Sequence, residues 1–161
     1  NNFWVLQEKA YRILAMNKKI EQLVKEVLDK GHLMSLATVD DGGVWASDVI
    51  YVYDDDFNIY WISDPDARHS QAILKNPRVA GAITVSGAGE DNLGIQFEGI
   101  AEKIDGDRRD LASKHYAQRG KVTPKEDEDV LEGDSWYILK PKKIELINEK
   151  LYGFEKQKLS F

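Results

Sequence analysis

Residues 59–85 read IYWISDPDARHSQAILKNPRVAGAITV, and this stretch decides the fold because it joins two apolar strands through a turn and a short helix. Ile59–Ser63 is β-branched and aromatic, as a strand prefers. Asp64-Pro65-Asp66 breaks it. Asp66 is the predicted N-cap of a helix over residues 67–75, with Ile73 and Leu74 to bury. Asn76-Pro77 stops that helix, since a proline disfavours helical geometry at the residue before it. Residues 79–85 then read as strand again.

Helix N-termini leave backbone N–H groups unpaired and carry partial positive charge, so Arg68 and His69 in the first turn add two donors to an anion site. A phosphate would suit it. The same residues are equally satisfied as a solvated surface arginine and a histidine paired with a carboxylate, and Asp64 and Asp66 already offer negative charge to this helix end.

Working outward, residues 1–15 carry Leu6, Ala10, Ile13 and Leu14 at helical spacing and are read as a docked helical extension. From Lys18, Ile20, Leu23, Val24, Val27 and Leu28 define an amphipathic helix that Gly31 ends. Residues 33–39 form a strand, Asp40-Asp41-Gly42-Gly43 a hairpin turn, and residues 44–53 a second strand with apolar residues on both parities. That pattern predicts a strand covered on both faces. A further turn at residues 54–56 completes a three-strand antiparallel meander ahead of Arg68.

Beyond the central stretch, residues 93–104 form a strand whose apolar parity switches near Gly99, the signature of a β-bulge. A helix is predicted from about Arg108 to Gln118 with Leu111, His115 and Tyr116 buried, then a short helix or ordered loop over residues 120–135. Residues 136–148 form the last long strand, bent at Pro141. Residues 149–161 keep Leu151, Tyr152, Phe154 and Leu159 and are expected to pack.

The 161 residues suit one domain: an extension over residues 1–31, a barrel over 32–148 and a packed tail over 149–161. With 42% hydrophobic and 31% charged residues, the composition is that of an ordinary globular chain, with no apolar run suited to a membrane span. A net charge of -6 argues against nucleic acid as the main partner. No secretory signal is recognisable, and a cytoplasmic location is expected. The absence of cysteine excludes disulfides, zinc–thiolate sites and a cysteine nucleophile. His32, His69 and His115 show no metal-ligand spacing, and neither a Gly-x-Ser-x-Gly elbow nor a Walker loop is present.

The hairpin, the aromatic strand, the Arg-His pair opening a helix, Asn76-Pro77-Arg78-Val79 and Gln96-Phe97-Glu98-Gly99 together resemble the FMN-binding split-barrel family of pyridoxamine 5'-phosphate oxidase. The likeness covers about residues 33–147 and is most specific in ARHSQAILKNPRVA; PKKIEL at residues 141–146 is similar to the family's final strand. It implies a mainly β fold with flanking helices, a six-stranded antiparallel split barrel. It also implies that FMN is held by Arg68 and His69 at its phosphate, that Ser47, Asp48 and Val49 line the isoalloxazine, that Trp61, Ile62 and Ser63 contact ring or ribityl phosphate, and that Gln96 matches the family's glutamine. The family's cofactor lies at a homodimer interface, so a homodimer is expected.

The C-terminal Arg-Leu-His-x-Arg with which the oxidase grips its substrate phosphate has no counterpart in EKLYGFEKQKLSF. The resemblance therefore points to flavin-binding or general-stress relatives and an oxidoreductase with an unidentified small substrate. A non-catalytic flavin-binding module, or the same barrel holding a deazaflavin or haem, are the alternatives.

Overall fold

The computed structural model describes residues 2–161. A long helix, α1 (Asn2–Lys30), leads into the hairpin β1 (Leu33–Asp40) and β2 (Gly43–Tyr53), then β3 (Ile59–Ser63) and the helix α2 (Arg68–Lys75). There follow β4 (Arg78–Thr84), β5 (Leu93–Ile104), α3 (Arg109–Gln118), β6 (Ser135–Asn148), the single turn α4 (Glu149–Tyr152) and β7 (Gln157–Ser160). The sheet order is β3-β2-β1-β4-β5-β6-β7, and β3 also pairs with β6, so six antiparallel strands close into a barrel with β7 added outside the ring. Closure leaves β3 without a free edge, which is how a barrel escapes unpaired backbone.

Local chemistry explains the joints. Asp41-Gly42 is a two-residue hairpin loop between the paired Asp40 and Gly43. The ladder between β5 and β6 shifts at Glu98/Gly99: Glu98 faces Lys143 while Gly99 faces Pro141, leaving Lys142 as the extra residue of a bulge. The predicted bend at Pro141 marks this feature, but the predicted parity switch in β5 is corrected. Ile95, Phe97 and Ala101 face the barrel interior on one parity through Gly99, and Ile104 packs on the outer cluster. The inward parity changes instead in β6, from Tyr137 and Leu139 to Ile144 and Leu146, because the extra residue lies there.

Alternation along the strands separates two cores. Met34, Leu36, Tyr51, Trp61, Ile83 and Leu139 belong to the interior of the barrel. Val52, Tyr60, Trp136 and Ile138, on the other face of β2, β3 and β6, bury Leu111, Ala112 and Tyr116 of α3. The predicted two-faced cover of β2 therefore holds from Val49 to Val52, whereas Val44 (75% exposed) and Trp45 (44%) stand open in the single chain.

Two other expectations are corrected. The N-terminal extension is no separate docked helix: it is continuous with α1, which packs against the barrel through Ile20, Leu23, Val24, Val27 and Leu28, while residues 3–19 are exposed. The docked half is fastened by the Tyr51 hydroxyl donating to the Leu28 carbonyl (2.7 Å) and the Tyr53 hydroxyl donating to Asp29 (2.5 Å). Gly31 ends the helix where a Cβ would lie 2.2 Å from the Tyr51 oxygen, so the close approach requires glycine. In the tail, β7 pairs with β6 and buries Leu159, but Leu151, Phe154 and Phe161 remain exposed.

No helix among the described residues is long and apolar enough to cross a membrane.

Candidate functional site

The start of α2 is built by its preceding turn. The Asp64 side chain accepts from the Asp66 amide (2.8 Å) and its carbonyl from the Ala67 amide (3.1 Å), so Asp66 is spent on the turn and is not the cap. The N-cap position is Ala67, in extended geometry and without any side-chain hydrogen bond to the helix, and the first turn carries no acidic residue. The predicted burial of Leu74 fails as well (61% exposed); Ser70, Ala72 and Ile73 supply the buried side. An uncapped N-terminus keeps its unpaired amides and partial positive charge available to an anion. In the same turn the Ser70 hydroxyl is fully buried with no partner.

Arg68 is not free. Its Nε donates to Asp40 Oδ2 (2.7 Å) and Nη2 to Oδ1 (3.0 Å), a bidentate pair, and the guanidinium lies 4.5 Å from the centre of the Trp45 ring. Asp40 is itself oriented by the Gly42 amide (2.8 Å). The Arg68 guanidinium holds the Asp40 carboxyl below the usual carboxylate range, and Asp40 raises Arg68 in return. Around them lies a shallow cleft of about 450 Å³ whose lining includes Asp40, Gly42, Arg68, Gln71 and Lys75. Asp40 and Trp45 were missed in the sequence, since they flank a turn 28 and 23 residues away and carry no local signal of their role.

His69 is half-buried, and its Nε2 lies 2.9 Å from the Ser63 hydroxyl. Burial lowers its pKa below the ordinary histidine value, so at neutral pH it offers a hydrogen bond and no charge. The first turn of α2 thus sends its two predicted side chains to different partners, Arg68 to Asp40 and Trp45 and His69 to Ser63.

The remaining candidates divide. Trp61 is fully buried, stacked on Tyr137 with ring centres 5.7 Å apart, and its strand is paired on both sides; Val49 is also in the barrel core. Both side chains are core residues in the single chain. Ile62 packs with the outer cluster beneath α3. Ser47, half-buried, faces Leu36 across the hairpin.

Asp48 is exposed and accepts from the Ser35 hydroxyl (2.7 Å). It begins a row that runs across the outer face of the sheet: Asp48 pairs with Ser35, Ser35 with Ala82, Ala82 with Gln96 and Gln96 with Glu145. Three strand steps at about 4.8 Å put Asp48 and Gln96 roughly 14 Å apart. Gln96 accepts from the Lys156 ammonium (2.6 Å), which also bridges to Glu145 (3.2 Å). Beside this row, an outer groove of about 520 Å³ is lined by Ala37, Val39, Val44, Ala80 and Ile100 among others. By strand alternation Trp45, beneath Arg68, points to the opposite side of β2 from Asp48.

Against known proteins, the family model described as pyridoxamine 5'-phosphate oxidase matches residues 20–148. A UPF0306 protein of Klebsiella pneumoniae (strain 342) is 30% identical over 134 residues, covering 81% of this chain and 85% of the relative. General Stress Protein 26 from Bacillus anthracis str. Sterne shares the fold with a TM-score of 0.65 over 88% of this chain and 98% of that one, at 17% identity. The haem storage protein HutZ from Vibrio cholerae does so with a TM-score of 0.56 over 85% and 91%, at 16% identity. Residues 2–19 lie outside the family match.

Proposed function

The chain belongs to the pyridoxamine 5'-phosphate oxidase family, and from that premise we propose that it binds FMN and serves as a flavin-dependent oxidoreductase on a small substrate. One observation carries the reading: the N-terminus of α2 is uncapped, free of acid in its first turn and flanked by the Arg68 guanidinium. That combination fits a phosphate dianion. Ser63 and His69 would add hydrogen bonds to phosphate or ribityl oxygens. Asp40 would have to share Arg68 with the phosphate.

The phosphate grip and the outer row of Asp48 and Gln96 face opposite sides of the sheet. We therefore place the isoalloxazine between two copies, with the outer groove as the homodimer surface: Val39 and Val44 are apolar and exposed there in the single chain. When bound, the flavin supplies the electron-transfer chemistry. The chain's own residues bind its phosphate, orient its ring and leave one face to the substrate.

The test is the absorption spectrum of the purified protein after addition of FMN and desalting. Bands near ~370 and ~450 nm should survive, and Arg68→Ala should weaken FMN binding by an order of magnitude or more. Unchanged affinity in Arg68→Ala would remove the phosphate assignment. Protein-dependent oxidation of NADH or NADPH with FMN present separates an enzyme from a flavin-binding module.

A second reading is haem storage without turnover, favoured by the likeness to HutZ and by the neutral imidazole of His69. A Soret band that survives desalting, in a protein that does not retain FMN, would replace the first reading with this one.

A further inference from the structure

The exposed half of α1 is the least explained surface of the molecule. Between Phe3 and Met16, eight apolar side chains stand 49–76% exposed, Phe3, Trp4 and Tyr11 at about three quarters each. Together they present roughly 1,000 Å², about half of it from Phe3, Leu6, Ile13 and the neighbouring Leu14 on one side of the helix, where a standard interface takes roughly 800 Å² from one partner, polar flanks included. Their spacing is regular. Phe3, Leu6, Ala10, Ile13, Asn17, Ile20, Val24 and Val27 follow one another at alternating steps of three and four, a heptad seam along the whole helix.

The last three of these are buried against the barrel, so the barrel satisfies one end of the seam and leaves the other end overhanging. Asn17 sits where the two halves meet, exposed, at a core position where a polar residue fixes register between paired helices. The polar side of this half is narrow, and part of it is self-neutralised by the Arg12–Glu8 pair (2.7 Å). A helix lying in a lipid interface needs a broad charged face instead. A helix apolar over most of its circumference belongs in a packed assembly.

We propose that residues 2–19 form an arm that pairs with the same arm of a second copy of this chain, through the seam of Phe3, Leu6, Ala10 and Ile13. The pairing is independent of flavin binding and lies outside the part of the chain that the family match covers.

Because the chain has no cysteine, single cysteines report the contact cleanly. Leu6→Cys, Ala10→Cys and Ile13→Cys lie on the seam; Glu8→Cys lies on the opposite face. All four positions are exposed, so the barrel should fold unchanged, as a thermal melt checks. Under mild oxidation of the full chain, at least one seam cysteine should form disulfide-linked dimer an order of magnitude faster than Glu8→Cys. For Ala10→Cys, adding Leu6→Glu and Ile13→Glu should bring the rate down to that of the control. Seam cysteines no faster than Glu8→Cys would overturn the proposal. So would co-flotation of the wild-type chain with phosphatidylserine-containing vesicles that the Leu6→Glu/Ile13→Glu variant loses, since the seam would then face lipid.

Discussion

Arg68 illustrates how one side chain can be claimed by two partners. Its fork is complementary to a carboxylate and to a phosphate alike, and in the structure Asp40 takes up Nε and Nη2 of that fork. An ion pair this exposed contributes little to stability, so its consequence is chiefly for binding. Asp40→Asn removes the competing charge while its side-chain oxygen can still accept from the Gly42 amide. FMN affinity should then rise several-fold, measured by quenching of flavin fluorescence at low salt. Unchanged or weaker binding would mean that Asp40 holds Arg68 in place for the phosphate and does not compete for it. The sequence could show Arg68 at a helix start, because a turn followed by a short apolar pattern is local information. It could not show Asp40, because that contact depends on how a hairpin tip folds over a helix from another part of the chain. Trp61 is the complementary case: an aromatic in a strand looks the same whether it faces a ligand or the inside of a closed barrel.

At the level of the element, the bulge between β5 and β6 was legible in its place beside Gly99 and Pro141 but not in its strand: a bulge changes which parity faces the core, and that change falls in β6, where Tyr137 and Leu139 give way to Ile144 and Leu146. In β5 the inward parity runs unbroken from Ile95 and Phe97 to Ala101, and the apolar Ile100 and Ile104 belong to the outer side, so an apolar residue on the outer face imitates a parity switch. The structure adds the reason for the glycine: a Cβ there would lie 2.2 Å from the Lys140 carbonyl oxygen and 2.9 Å from Pro141 Cα, both backbone atoms that cannot swing aside. Gly99→Ala should therefore open the ladder, costing about 2 kcal/mol or more and lowering Tm by roughly 4–8 °C. Gly87→Ala is the matched control, because its Cβ would come no closer than 3.6 Å to the Glu90 side chain. A Gly99→Ala melt that coincides with that control would sink the account. The misreading of α1 has the opposite origin. Helical periodicity reports which face is apolar and says nothing of what covers it, so an overhanging seam and a docked one look alike.

The whole molecule is held by two cores that share the wall of the barrel, and the outer one has a titratable group at its centre. His115 of α3 is buried, meets the Trp136 ring edge-on at 5.6 Å, and leaves Nδ1 without a partner. Burial, with smaller contributions from the cationic Arg119 and Lys121 and from His32, pushes its pKa down to about 4. Above pH 6.5 the imidazole is neutral whether the chain is folded or not, and the group leaves stability unaffected. As pH falls below 6.5 the unfolded chain takes up a proton that the folded chain refuses until about pH 4, so stability is lost progressively across that window. Between pH 7 and pH 5 the loss is about 2 kcal/mol, or roughly 4–8 °C in Tm for a chain of this size. His69, also lowered by burial, acts in the same direction. The lowered carboxyls of Asp54 and Glu145 have the opposite dependence on protonation state: their contribution is present above the usual carboxyl range and is lost as pH falls through their depressed values. They therefore leave the interval from pH 7 to pH 5 to the histidines. His115→Leu removes both the titration and an unsatisfied buried nitrogen, so it should melt near the wild-type temperature at pH 7 and lose distinctly less on acidification to pH 5. An equal acid slope in the variant would show that the outer core is not what weakens the fold as pH falls.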